Sequence, residues 1–291
     1  MAIRERRAAG LEYLALATEL LQRARLADPE AGVWEAADLQ WWWRTPRSSD
    51  TVEQRVWLDA DGPVAAVGLT EWTRAWGCDP LLVPGRVPLT TVWAGGLEAI
   101  DALRLDDVET LVREDDPALR SLLAASGFAP DGELSGITWM DADERAAVAP
   151  LPEQFAIVDR TRRRTRPHPM RRRSGDQIET RLRQCSLYEP ELDLAVETVD
   201  GEVAGYSLYW FDPVTMVGLV EPMRVEDAYQ RRGLARAMLT EGLDRLARRG
   251  ARRLKVGYGT DAALALYTGV GFRPAATCVS YRGRVRRLTA S

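Results

Sequence analysis

Histidine and lysine are almost missing from this chain: His168 and Lys255 are the only ones in 291 residues. With one histidine, zinc sites and serine or cysteine nucleophile systems that need a histidine base have almost no raw material. Cysteine is also scarce. Cys78, Cys185 and Cys278 are scattered, odd in number and without C-x-x-C spacing, so they are expected to be reduced and mostly buried. No apolar stretch approaches the roughly 20 residues that span a bilayer, and the opening MAIRERRAAG lacks the apolar core of a signal peptide. A cytoplasmic protein is the expectation. Positive charge is in deficit, with 39 Lys+Arg against 43 Asp+Glu, which argues against general nucleic-acid binding. The local exception is RTRRRTRPHPMRRR from Arg160 to Arg173. It reads as a solvated connection near a domain start, or else as an attractor of an acidic substrate, of phosphates or of RNA. His168 within it reads as solvated, with service as a base on the acceptor side as the alternative.

What is present suits two domains of ordinary size: 46% apolar and 28% charged residues in a chain long for one core. Helical spacing over Gly10 to Arg25 predicts an amphipathic helix, and Val33 to Trp43 a second. Trp41, Trp42 and Trp43 in succession cannot all face one core, so they divide between packing and a groove or substrate contact. Val52 to Leu58 and Val64 to Glu71, joined at Asp61-Gly62, predict a hairpin. Pro80 to Pro88 is broken by prolines. Val92 to Leu103 reads as a helix, Val108 to Val112 as a strand, Pro117 to Ala125 as a helix ended by Gly127-Phe128, and Ile137 to Met140 as a strand.

The Ala-, Pro- and acid-rich stretch Asp141 to Pro152 is the best boundary, giving domains 1–147 and 148–291. After it the order of elements begins again. DDPALRSLLAASGF lies over TDAALALYTGVGF with apolar positions in phase when Gly127-Phe128 is set on Gly271-Phe272. The chain therefore reads as two divergent copies of one fold. They differ where chemistry would sit, because Leu123 stands in the place of Tyr267.

In the second copy, Val217 to Val225 predicts a strand, Gln230-Arg231-Arg232-Gly233-Leu234-Ala235 a turn, and Leu234 to Arg248 a helix. A helix beginning there presents unpaired N–H groups and a positive dipole end, with small residues allowing close approach. That is an anion site suited to a diphosphate. The spacing fits neither G-x-x-x-x-G-K-[ST] nor G-x-G-x-x-G. It resembles the pyrophosphate loop [QR]-x-x-G-x-[GA] of the GNAT acetyltransferase superfamily. Over about Leu192 to Tyr281 three features stand in that family's order: the strand VEPMRV, the loop QRRGLA and a helix ending LYTGVGF. The first half is similar only in its hairpin and its last helix, lacks the loop, and reads as a degenerate partner.

The resemblance implies an α/β fold with a mixed sheet, in two tandem GNAT-like domains of the kind found in mycothiol synthase-like chains. It also implies acetyl coenzyme A as co-substrate, with no metal. The diphosphate would lie on the backbone from Gln230, Arg231, Arg232 and Gly233 through Leu234, Ala235 and Arg236. The pantetheine arm would pair near Met223, Arg224 and Val225. Thr260 stands where many relatives have asparagine. An attacking amine must lose a proton and the leaving thiolate needs a donor. Glu221, alternating with Met223 and Val225 along the strand, could serve the first role, and the resemblance implies the second for Tyr267, which matches the family's tyrosine beside the coenzyme sulfur. Some family members carry the glutamate two residues earlier, where this chain has Leu219. The expected activity is N-acetylation of a small-molecule amine in the second domain, with the first helping to wall the acceptor site. Acetylation of a protein, peptide or antibiotic and a non-catalytic coenzyme sensor are the competing readings.

Overall fold

The computed structural model describes residues 3–30 and 32–283. These fall into two compact units, each discontinuous in sequence. Unit 1 comprises the chain up to Leu39, Pro46–Ser135 and the segment from Ala276 onward; unit 2 comprises Gln40–Thr45 and Gly136–Ala275. The proposed boundary after residue 147 divides the sequence copies, whereas the compact units divide the chain differently. Unit 1 draws its last strand from the C-terminal end, and unit 2 draws an edge strand from residues 136–141.

Unit 1 runs β1 (Arg4–Ala8), α1 (Gly10–Ala27), the first part of α2 (Ala36–Trp43), β2 (Gln54–Asp59), β3 (Gly62–Glu71), β4 (Trp76–Leu82), α3 (Leu89–Leu103), β5 (Val108–Arg113) and α4 (Pro117–Ala125). The C-terminal end of β12 (Arg273–Gly283) pairs with β5 through Cys278–Gly283. Neighbouring strands are antiparallel except β4 and β5, which are parallel. Two of these strands escape sequence reasoning. β1 reads RERRA, an exposed edge strand whose charges discourage further pairing and hide the apolar alternation. β4 contains Pro80, but its pairing with β5 stops at Gly77, so the missing N–H falls on an open edge and costs no ladder bond.

Unit 2 contains the end of β6 (Ala129–Asp141), then β7 (Phe155–Asp159), the short α5 (Arg171–Ser174) and α6 (Ile178–Leu182), β8 (Asp193–Thr198), β9 (Val203–Asp212), β10 (Val217–Val225), α7 (Leu234–Arg249), β11 (Arg253–Tyr258) and α8 (Asp261–Thr268). Its strands lie in the order β6-β11-β10-β9-β8-β7, with only β10 and β11 parallel. A parallel pair needs a crossover, and α7 supplies it. Leu239, Leu243 and Leu246, spaced to share one face of α7, are buried with Tyr209, Val220 and Leu254 of the strands. The helix stops at Gly250, whose φ of 102° is a conformation that side chains disfavour.

Gly242 fixes how closely α7 sits on β9. A Cβ there would meet the Tyr209 ring at 2.0 Å, and that ring is held because its hydroxyl donates to the Met238 carbonyl at 2.7 Å. Glycine to alanine inside a helix ordinarily stabilises by about 0.5–1 kcal/mol. Here overpacking reverses the sign: Gly242→Ala is expected to lose about 1–3 kcal/mol, read from the urea midpoint.

Candidate active site

The site of unit 2 forms where β10 leaves β11. The two strands pair only at Val217, Gly218 and Leu219, while β10 stays on β9 as far as Val225, with an irregularity between Val220 and Met223. The Glu221-Pro222 step that causes it is pinned from β9. The Trp210 indole N–H donates to the Glu221 carbonyl at 2.8 Å, and the Ser207 hydroxyl donates to the Pro222 carbonyl at 3.0 Å. Beyond it, Glu226 N–H donates to Ala204 O on β9. Alternation along the strand therefore turns the backbone groups of Met223 and Val225 toward the edge that β11 has vacated.

At the end of β10 the chain turns into α7 through Gln230–Gly233. Arg231 (φ 59°) and Gly233 (φ 80°) both take left-handed conformations, and no side chain caps α7. The first amides of the helix are left without intrahelical partners at its positive dipole end. Nothing lies within 4 Å of where a Gly233 Cβ would stand, so the loop has open space in front of it. Arg231 pays a conformational strain that only glycine avoids, which is common at ligand-binding turns.

A cavity of about 420 Å³ occupies this corner. Met223, Arg224 and Val225 of β10 line it, as do Gln230, Arg231 and Gly233 of the turn. So do Leu234, Ala235 and Arg236 of α7, and Tyr267 of α8. Arg232 does not line it: its guanidinium lies over the Tyr229 ring and donates to the Ala228 carbonyl. Thr260 does not either; its hydroxyl caps α8 by accepting from Ala263 N–H at 3.2 Å. Glu221 stands two residues before the lining begins, and its carboxylate acts on Tyr267. Leu219 is buried core at 3% exposure, which leaves Glu221 as the carboxylate of this strand segment.

Tyr267 is 7% exposed and packs edge-to-face on Phe272. Burial first, and the neighbouring Glu221 charge second, raise its phenol from 10.0 to about 12. It is a neutral hydroxyl at every physiological pH. Sequence reasoning missed Tyr229, Ala262, Ala263 and Leu266, which also line the cavity. The readable signal was the Ala262-Ala263 pair opening α8, small enough to leave space beside the turn.

The basic run and His168 belong elsewhere. Arg160 and Arg163 are buried, not solvated: Arg160 pairs with Glu179, and Arg163 and Arg166 share Glu197. Arg171 pairs with Asp176, and Arg173 makes a two-pronged contact with Glu226 at 2.6 and 2.8 Å. Much of the run's charge is thus spent inside unit 2, where it fixes a loop that has little regular structure. His168 is buried as well, contrary to a solvated loop residue. Its Nε2 lies 2.8 Å from Asp193 Oδ2, and its Nδ1 accepts from Met170 N–H at 3.2 Å. Tyr188 donates to the same Asp193 oxygen at 2.8 Å. Both ring nitrogens are engaged, so His168 holds the loop onto β8. The tryptophans divide as expected of three in a row: Trp41 and Trp43 are buried and Trp42 is half-buried. The Trp43 indole donates to Gln184 at 2.8 Å under the Arg181 guanidinium.

A splayed parallel pair, an uncapped glycine turn and a tyrosine on the following helix thus come together in unit 2. Residues 157–272 match the Acetyltransferase (GNAT) family. The chain is 31% identical over 185 residues to mycothiol acetyltransferase of Clavibacter michiganensis subsp. michiganensis, covering 58% of this chain and 59% of that protein. It is 39% identical over 80 residues to N-alpha-acetyltransferase RimI of Mycobacterium tuberculosis, covering 25% of this chain and 50% of that one. The matches thus span roughly half to three-fifths of these curated relatives. A tandem GNAT protein from the clavulanic acid biosynthesis pathway shares the fold along 97% of this chain and 98% of its own, with a TM-score of 0.70 at 17% identity. The protein has a tandem GNAT architecture, and its GNAT-family match lies in the second half.

Proposed function

We propose that unit 2 transfers an acetyl group from acetyl coenzyme A to the primary amine of a small molecule. The observation that carries this reading is that Tyr267, which feels the Glu221 charge, lines one cavity together with the turn at the uncapped N-terminus of α7. The residues fit the coenzyme: amides at the turn for its diphosphate, with Arg231 and Arg236 beside them, and the open β10 edge at Met223 and Val225 for its arm. When bound, it supplies an activated acyl carbon and a thiolate leaving group. Glu221 takes the proton that the acceptor's ammonium must lose, directly or through one water. Tyr267 donates a hydrogen bond to the departing sulfur. Full proton transfer from a phenol near 12 to a thiol near 8.5 is uphill by about 5 kcal/mol. The phenol therefore stabilises the thiolate while keeping its own proton.

Release of free thiol from acetyl coenzyme A in the presence of small amines, peptides and aminoglycosides tests the reading. Release with small amines supports it. Release with peptides alone would transfer the assignment to peptide acetylation. Coenzyme binding without turnover on any acceptor would favour a sensor. The turn itself is tested by Gly233→Val, which places a β-branched residue at φ 80°. The expected result is coenzyme binding weakened by about 10-fold or more in calorimetry, which corresponds to at least 1.4 kcal/mol.

A further inference from the structure

The first unit repeats the splay and keeps a carboxylate in it. β4 pairs with β5 only at Trp76 and Gly77, as β10 pairs with β11 only as far as Leu219. Two residues after the last paired position come Asp79-Pro80 in one strand and Glu221-Pro222 in the other. The gap between β4 and β5 opens into a cavity of about 530 Å³, walled by Leu21, Trp34, Leu81, Leu111 and Leu119, with Asp79 in its lining.

This cavity is unsuited to a diphosphate. The α4 N-terminus that borders it is filled by its own Asp116, whose carboxylate accepts from Leu119 N–H at 2.9 Å, and begins with Pro117. Arg86, in the loop before α3, faces Asp59. Of the cations lining the cavity, Arg25 is held by Glu35 and Arg113 by Asp115. Asp28, Glu30 and Asp79 add negative charge to the same lining. An apolar space with a carboxylate in its wall and an acidic surround selects a cation with an apolar body.

We propose that the unit 1 cavity binds a small amine with an aromatic or alkyl body, its ammonium seated on the Asp79 carboxylate. Asp79 is 5% exposed and accepts from the Trp34 side chain and from Leu111 N–H, so it is positioned from two sides with acceptor capacity to spare. Glu109 on β5 adds to the negative field at Asp79, while Tyr13 on α1 and Cys78 on β4 stand within that of Asp79 itself. An ammonium placed there relieves the burial of an uncompensated carboxylate. The site shares no lining residue with the cavity proposed for acetyl transfer.

The test is calorimetry of tryptamine, phenethylamine and cyclohexylmethylamine against the full chain without coenzyme. The expected result is that at least one binds and that its neutral isostere, 3-propylindole for tryptamine, binds ten- to a hundredfold more weakly, the range of a charge-assisted contact. Asp79→Asn, with an unchanged circular dichroism spectrum, weakens the amine by a similar factor, while Glu221→Gln leaves it unchanged. Equal binding of amine and neutral isostere overturns the proposal. So does loss on Glu221→Gln instead of Asp79→Asn, or no binding of any of the three at millimolar concentration. If Asp79→Asn does not fold, the comparison of amine with isostere in the unaltered protein decides alone.

Discussion

Replacing Tyr267 by phenylalanine is expected to lower turnover by about 10²-fold while changing coenzyme affinity by less than about threefold. The substitution keeps the ring that packs on Phe272 in the core of unit 2 and removes only the hydroxyl. In the role proposed for Tyr267, the lost interaction is one that strengthens as negative charge gathers on sulfur, so it belongs to kcat and not to binding. Because burial and Glu221 raise the phenol to about 12, its ionisation contributes no inflection to the rate profile between pH 6 and 10. Unchanged turnover on the true acceptor would remove Tyr267 from the mechanism. An inflection near pH 10 that disappears in the phenylalanine variant would show that the phenol is less deeply buried in the working enzyme.

Asparagine in place of Asp79 is expected to alter the pH dependence of stability more than any surface change. Burial, opposed by hydrogen bonds from Trp34 and Leu111 and reinforced by Glu109, raises this carboxyl from 3.8 to about 7. A carboxyl that is harder to ionise folded than unfolded binds more protons in the native state. Stability is therefore greatest below about pH 4 as far as this group is concerned, and is lost as pH rises toward 7. The gap between the two values sets an upper bound of about 4 kcal/mol on that loss. Asp79→Asn cannot ionise, so its stability relative to the parent should grow between pH 4 and pH 8 by up to this amount. Urea denaturation at both pH values reads the difference. A constant difference across that interval would mean that Asp79 is solvated or paired with a cation.

The two halves differ in how far their sequences could be read. In unit 2 the apolar run of β10, the glycine turn and the periodic α7 agree at every level, and the cavity gathers ten residues expected from the turn, its flanks and Tyr267. Thr260 and Arg232 escaped because a cap and a ring stack depend on local backbone direction, which spacing does not encode. Arg160 and Arg163 misled because their partners, Glu179 and Glu197, lie 19 and 34 residues away, and a run of arginines looks solvated until those partners are folded against it. In unit 1, Pro80 disguised β4 and with it the parallel of Asp79-Pro80 to Glu221-Pro222, the one signal from which the first cavity was legible. The exchange of end strands had no local signature, since β6 and β12 would read the same in either unit.

Backbone amides at Arg231–Gly233 are proposed to hold a coenzyme diphosphate, once per chain. A crystal structure with coenzyme A, paired with a calorimetric stoichiometry, tests it most directly. The expected result is one molecule per chain, its diphosphate on the turn before α7 and its sulfur beside Tyr267. Coenzyme seated only between β4 and β5, or a turn that closes on its own side chains and binds none, would contradict it.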